Sequence, residues 1–542
     1  MLEIEGNILD VFNESIYPAK IIIHENKILK IKKSNLEYKN YILPGYIDAH
    51  VHIESSLLCP SRFAEIVIPH GTVATVSDPH EIANVLGIEG ITYMIEDAKN
   101  TPLKIFYTAP SCVPATIFET NGATLTHKEI EMLLKMNEIV ALGEVMDYYA
   151  VINEDEEMLR KINAAKRLGK VIDGHAPLLR GELLRKYVSF GISTDHESVF
   201  YDEALEKAKL GVKIMIREGS VAKNFKELIK LVKENFECFF VTDDILVTDL
   251  LKGHIDLLLN EALKYNIDPI KALKCVSLYP VMHYKLPVGL LRENDYADFV
   301  IVKSLDNFSP EEVYINGSLV AKSGKALFSV SPKQTGNTVK ANFLEENRIK
   351  IKTDKDEVKI NVIGIVEDQI ITKHLIENIK AKNGFVEADN EKDILKIVVV
   401  ERYGKNNVSV GFIKGFGLKN CAIASSISHD SHNIVAVGDN DKLIVKAVNE
   451  LILSGGGICL VNYNSKYLLP LPIAGLMSKE NPNYVASQLN LLHEKAKEHG
   501  CKLKNPFITL SFMTLLVIPE IKIGDKGLFD VKAQRFISVF AE

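Results

Sequence analysis

The chain has 542 residues, 47% hydrophobic and 25% charged, with 64 Lys and Arg against 71 Asp and Glu for a formal net charge of -7. That balance excludes a disordered chain, and without a long single-sign run it speaks against a nucleic-acid partner, whose backbone demands a basic face. Seven scattered cysteines with no C-x-x-C pair exclude a disulfide framework or a cysteine-held zinc, and length alone predicts about three domains.

Residues 1–43 open on MLEIEGNILD, acidic where a secretory signal would be basic and then apolar. They continue as short strands with a turn at Glu25-Asn26. A similar texture returns at 296–328. The two segments are expected to pair as one small β-sandwich-like domain, residues 1–43 plus 284–332, interrupted by a larger one. Residues 44–283 alternate apolar β-like runs with helical stretches. The strands read as Leu43–His50, Thr72–Ser77, Lys104–Ala109, Ile139–Glu144, Val171–Gly174, Ile192–Asp195, Val212–Ile216 and Phe239–Thr242. Eight such units predict an α/β fold, a TIM-like (β/α)8 barrel, with a doubly wound sheet as the alternative. A Lys/Asn/Thr-rich stretch near 333–342 reads as a linker to a C-terminal α+β domain, 340–542, with a helical segment at Asn483–His499. The apolar run Ile508–Ile518 contains Thr and Ser and falls short of a bilayer span. The expectation is a protein of the reducing cytoplasm with no membrane partner; a homo-oligomer is left open.

The chemistry gathers at the strand ends. In "PGYIDAHVHIESS", His50 and His52 are two apart at the end of an apolar run, and residues i and i+2 of a strand share a face. Alone, H-x-H is a weak sign of a metal. The fourth strand ends at Glu144, the fifth at His175, the sixth at His196 and the eighth at Asp243. Each has a bland reading: a lysine partner for Glu144, a core histidine for His175, a helix cap for Asp243. Together they place four imidazoles and two carboxylates at the end of a barrel where active sites sit. Such a set can hold two divalent ions, with Glu144 bridging, His50, His52 and Asp243 on one, and His175 and His196 on the other. Metal binding lowers the pKa of a bound water to roughly 7, and Asp243 beside it can accept or relay the proton. Mixed nitrogen and oxygen ligands suit manganese, iron or zinc.

The motif "LPGYIDAHVHIESS" resembles the first-strand signature of the amidohydrolase (metallo-dependent hydrolase) superfamily. "VSDPHEIANVLGIEGI", "APSCVPATIFET", "LGEVMDY", "IDGHAP", "TDHES", "MIREGS" and "VTDD", with "SSISHDSHNIVAVG", "LPLPIAGLMS" and "FITLSFMTLLVIPEIK" near the C-terminus, are similar to the adenine deaminase family over about residues 42–530. The resemblance implies hydrolysis of adenine to hypoxanthine and ammonia in purine salvage, with two Mn2+ or Fe2+ ions held by His50, His52, Glu144, His175, His196 and Asp243. One departure is the apolar "ILVTDLLKGHID" after Asp243-Asp244, where many relatives are expected to carry a more polar, histidine-containing loop.

Further candidates follow. His80 and Glu81 of "SDPHE" are expected on the same rim, as proton donors to the purine or further ligands; a structural helix start is the alternative. Arg217 and Glu218 of "IREGS" are candidates to contact the base, or else form an internal ion pair. Glu54 is a further candidate to hold the base, and with Ser55 and Ser56 it could support the first-strand histidines or cap a helix. His429 and His432 of "SHDSHN" read as a buried polar turn, and Gly455–Gly457 as a tight turn, since no Lys-Ser/Thr follows. A cyclic amidohydrolase is the alternative enzyme, disfavoured because Glu144 stands where those sites often carry a modified lysine. The cytidine deaminase signature fails for want of P-C-x-x-C. A non-catalytic binding protein on the same barrel would be expected to have lost ligands.

Overall fold

Strands buried on both faces read as continuous apolar runs, and eight of them are where that pattern predicts. In the computed structural model, which describes every residue except 221, 368 and 542, they are β1 (Tyr46–Val51), β2 (Thr72–Ser77), β3 (Lys104–Ala109), β4 (Ile139–Val145), β5 (Val171–Gly174), β6 (Thr194–Asp195), β7 (Lys213–Arg217) and β8 (Cys238–Val241). All neighbouring pairs are parallel, with β1 to β5 forming one sheet and β6 to β8 another. Backbone bonds cross both seams. Ser193 N donates to Ile172 O at 2.9 Å between β5 and β6, and Asp243 N donates to His50 O at 3.0 Å between β8 and β1. The result is the (β/α)8 barrel, its strands followed by helices such as Pro60–Val67, Glu156–Arg167 and Ile255–Lys264. The Glu156–Arg167 helix has Asp155 as its cap, two acidic residues in its first turn and two basic ones in its last, the arrangement that satisfies free N–H groups and the helix dipole.

The first predicted strand, Leu43–His50, is divided. Tyr41–Pro44 leaves the barrel for a second sheet, and the barrel strand begins at Tyr46. Gly45 marks the break: a Cβ there would lie 2.4 Å from both methyl groups of Val73. The second sheet has eight strands, in the order Lys325–Ala326, Ser318–Lys322, Glu312–Ile315, Phe299–Val302, Tyr41–Pro44, Leu2–Asp10, Ser15–His24 and Lys27–Lys33. Tyr41–Pro44 runs parallel to Leu2–Asp10 and antiparallel to Phe299–Val302. Strands from both sides of the barrel segment thus share one sheet, around a core that includes Ile8, Ile21, Ile42 and Phe299.

The chain forms two compact units. The first comprises Met1–His80, Ile91–Cys112 and Leu125–Lys333; the second comprises Glu81–Gly90, Val113–Thr124 and Gln334–Glu542. The second unit is built on a ten-stranded sheet in which Ile394–Val400, fully buried, lies between Val408–Lys414 and Ile434–Gly438. The helix Asp441–Ser454 contributes Leu443, Ile444, Ala447, Val448 and Leu451 to its core. Gly455 ends that helix at φ 73°, the left-handed closure glycine makes without strain. The seven cysteines are free and buried. No helix among the described residues is long and apolar enough to cross a membrane.

Candidate metal centre

Alternation along β1 puts His50 and His52 on one side of the strand, and both are buried. Glu144 comes from β4, His175 and His196 directly follow β5 and β6, and Asp243 lies two residues past β8. The barrel brings all six together. Glu144 is central: its Oε1 is 3.3 Å from His52 Nε2, and its Oε2 is 2.7 Å from His175 Nδ1 and 3.2 Å from His196 Nε2. Asp243 Oδ1 lies 3.4 Å from His50 Nε2 and 3.1 Å from His52 Nε2. The rings of His50 and His196 stack with centroids 4.2 Å apart.

Asp243 has φ 58°, in the left-handed region that few residues but glycine, Asn and Asp occupy. Its backbone is fixed there by donating to His50 O and accepting from His52 N at 3.2 Å. The same two bonds that close the barrel therefore aim the carboxylate at the histidines.

The donor set fits a divalent cation. Among the described residues, buried His50 Nε2 finds no hydrogen-bond partner, an arrangement that costs free energy unless something accepts its lone pair. His50, His52 and Asp243 offer ligand atoms close enough to share one ion, as do His50, Glu144 and His196, and also His175, His196 and Glu197. Burial alone would raise the Glu144 carboxyl, yet the charge of His196 and hydrogen bonds from His175, His196 and His52 hold it well below the usual carboxylate range. Burial likewise opposes ionisation of Asp243, but His50, His52 and the Arg217 guanidinium keep it well below its ordinary value.

Further hydrogen bonds fix these side chains. The His52 ring sets its Nδ1 2.9 Å from Asp78 O; donation there leaves the Nε2 lone pair facing Asp243 and Glu144. Asp78 Oδ2 accepts from Glu144 N at 3.0 Å, and Ser111 Oγ donates to Glu144 O at 2.7 Å. Tyr187 Oη accepts from His175 N and donates to Val145 O.

Other predicted residues have varied placements. His80 Nδ1 lies 3.6 Å from Glu144 Oε1 and 3.5 Å from Asp78 Oδ1, with its ring edge-on to His52. Arg217 directs NH1 and NH2 at Glu197 (2.6 and 2.9 Å) and NH1 also at Asp243 Oδ2 (2.7 Å). Glu218 pairs with Lys223 at 2.8 Å. Glu54 is buried, Ser55 Oγ donates to Asp244 Oδ1 at 2.5 Å, and Ser56 Oγ caps its own turn on Ile53 O. In the apolar segment after Asp244, Ile245 and Leu246 are buried, and Leu246 N donates to Ser220 Oγ. Glu81 belongs to the second unit, where its carboxylate meets His429 Nδ1 at 2.9 Å and hydrogen-bonds His432. Burial pushes His432 down to about 4. The Ser428–His432 turn is closed by His432 N donating to Ser428 O at 2.7 Å. Sequence reasoning missed Asp78 and Glu197, although both stand inside motifs it singled out, "SDPHE" and "TDHES".

Comparison with known proteins agrees with this geometry. Residues 41–320 match the amidohydrolase family, and residues 369–535 match the adenine deaminase C-terminal domain. The chain is 46% identical to the adenine deaminase of Methanosphaera stadtmanae over 542 residues, covering 99% of both chains. It is also 46% identical to the adenine deaminases of Methanothermobacter thermautotrophicus, covering 98% of both, and Borreliella burgdorferi, covering 99% of both.

Proposed function

We propose that this chain, which belongs to the amidohydrolase family and within it to the adenine deaminases, hydrolyses adenine to hypoxanthine and ammonia as a step of purine salvage. The observation that carries the reading is the cluster of four imidazoles around Glu144 and Asp243, in a chain similar to adenine deaminases along nearly its whole length. The family implies a divalent metal site. We assign His50, His52 and Asp243 to one ion and His175 and His196 to a second, with Glu144 between them; manganese or iron is assigned from the likeness to adenine deaminases, and the mixed nitrogen and oxygen donors, which suit zinc as well, are compatible with either. When bound, such ions supply Lewis acidity and make hydroxide available from water near neutral pH.

The residues then divide the proton work. Asp243 stays ionised beside Arg217, so it can take the proton that water loses as its oxygen bonds to C6 of adenine. His80 is placed to deliver a proton to the ring nitrogen that gains charge. The proton on Asp243 passes to the amino group, which leaves as ammonia, and the hydroxyl on C6 returns its proton to His80 as the carbonyl forms; one water is consumed, both side chains are restored and the ring is hypoxanthine. Glu54 and Glu218 remain the candidates for holding the base. The same reading assigns residues 44–283 to the catalytic barrel, 1–43 with 284–332 to a small β-domain, and 340–542 to the C-terminal domain, supported by the sheet that the two flanking segments share.

The test is ammonia release from adenine by metal-free enzyme reloaded with Mn2+ or Fe2+, beside adenosine and a cyclic amide, with Glu144→Gln as control. Metal-dependent release from adenine alone, lost in the variant, is expected. Activity on the cyclic amide in place of adenine would overturn the substrate assignment.

A further inference from the structure

Glu197 has no role in the assignment above, and its surroundings are those of a ligand. Asp243 divides its oxygens: Oδ1 faces His50 and His52, while Oδ2 takes the Arg217 guanidinium at 2.7 Å. Glu197 mirrors it across the same guanidinium. Its Oε2 accepts from Arg217 NH2 at 2.9 Å, and its Oε1, held by NH1 at 2.6 Å, is 3.4 Å from His196 Nε2 and 3.8 Å from His175 Nδ1. The Glu197 side chain is only 15% exposed. Glu144 lies between the two halves, its Oε1 toward His52 and its Oε2 toward His175 and His196.

Each half therefore contains two imidazoles and one terminal carboxylate, and both share Glu144. Without Glu197 the second half has only two imidazoles and the shared carboxylate, a poorer donor set for manganese or iron, which favour additional oxygen ligands. A purely structural partner for Arg217 would have no need to bring Oε1 to the two histidines. The fork geometry of arginine suits the alternative, because it fixes a carboxylate while leaving lone pairs unused.

We propose that Glu197 is a terminal protein ligand of the ion held by His175 and His196, and that Arg217 is the positioning residue that presents Glu197 and Asp243 to the two ions. The proposal rests on the two-ion reading given above.

The experiment is Mn2+ binding to the metal-free full-length protein, with free Mn2+ followed by electron paramagnetic resonance and bound metal counted per chain. Wild type is expected to bind two ions. Glu197→Gln is expected to weaken one of them by at least about 10-fold, the loss typical even for a partner that only orients a ligand. His175→Ala should remove that same ion, so Glu197→Gln combined with His175→Ala loses little more, whereas Glu197→Gln with His50→Ala loses both. Glu197→Asp retains a charge for Arg217 but withdraws the oxygen from the imidazoles; it should behave like Glu197→Gln and guards against misfolding of the first variant. Two ions bound by Glu197→Gln with wild-type affinity would overturn the proposal and leave the two-ion reading intact, as would loss of the ion that His50→Ala removes. Fewer than two ions in wild type would overturn the two-ion reading itself, and the proposal with it.

Discussion

Replacing Gly143 with alanine tests whether the backing of Glu144 matters as much as its carboxylate. A Cβ at Gly143 would lie 2.2 Å from Asp78 Oδ2 and 2.5 Å from Thr108 Oγ1. Both neighbours are buried, so the Asp78 carboxylate would have to retreat by about 1 Å to reach ordinary van der Waals contact. It has little freedom to do so, because Asp78 N donates to Val51 O at 3.1 Å and Asp78 O faces His52 Nδ1. The carboxylate would give up its bond from Glu144 N. Overpacking costs about 1–3 kcal/mol, and a buried N–H left without an acceptor costs about 1–3 kcal/mol more. A displacement of about 1 Å at a catalytic group costs on the order of 100-fold in rate. Gly143→Ala is therefore expected to lower the denaturant midpoint and to reduce kcat for adenine about 100-fold with Mn2+ at saturation. Adding Asp78→Ala should relieve the closer of the two clashes, leaving that with Thr108, and recover part of the stability without recovering kcat, since the bond to Glu144 N is still missing. Wild-type kcat and midpoint in Gly143→Ala would refute the reasoning.

Two further outcomes follow from buried lysines. Lys207 Nζ donates to Ala176 O, Asp195 Oδ2, Glu203 Oε1 and Ser198 Oγ; Lys207→Met leaves Asp195 and Glu203 buried without their cation and should cost about 3–5 kcal/mol in chemical denaturation, an unchanged midpoint counting against it. Lys522 is buried with only Ile370 O and Phe512 O as acceptors among the described residues, and burial pushes it down to about 7. Its folded pKa is below its unfolded one, so its destabilisation is complete below about pH 7 and is relieved as pH rises toward the ordinary lysine value. Stability should thus climb with pH above neutrality, by at most about 1.4 kcal/mol per unit from this group, and Lys522→Met should flatten that slope; equal slopes in urea titrations at pH 7 and 9 would contradict it.

The strand ends were legible because two signals coincide there, an apolar run and the polar residue that finishes it. His50 with His52, and Glu144, His175, His196 and Asp243, all stand at such points. Gly45 was harder, since Leu43–His50 reads as one run and only the close approach of Val73 divides it. Glu197 and Asp78 were missed because each sits in the turn beyond a strand, where no periodicity says which way a side chain goes. Arg217 illustrates the same limit from another side: its charge was visible, but its two carboxylate partners lie 20 and 26 residues away. Glu81 follows His80 directly, yet its partner His432 is 351 residues distant, and no local pattern carries that information.

The seam between β1 and β8 shows why closure and chemistry were read from the same residues. Asp48 and His50 alternate along β1 and His52, one residue past its end, continues the alternation. Asp48 accepts from Thr242 N and Thr242 Oγ1, His50 O accepts from Asp243 N, and Asp243 O accepts from His52 N. Successive residues of the last strand's end are thus bonded to successive same-face residues of the first. A buried carboxylate such as Asp48 would be costly in a barrel wall unless fully partnered, and here its partners are the groups that fix where Asp243 begins. The spacing of the first-strand histidines from the last-strand aspartate is consequently set by backbone bonds, not by the soft torsions of the side chains. A divalent site needs its donors held to within a few tenths of an ångström, and the barrel supplies that tolerance through the bonds that close it.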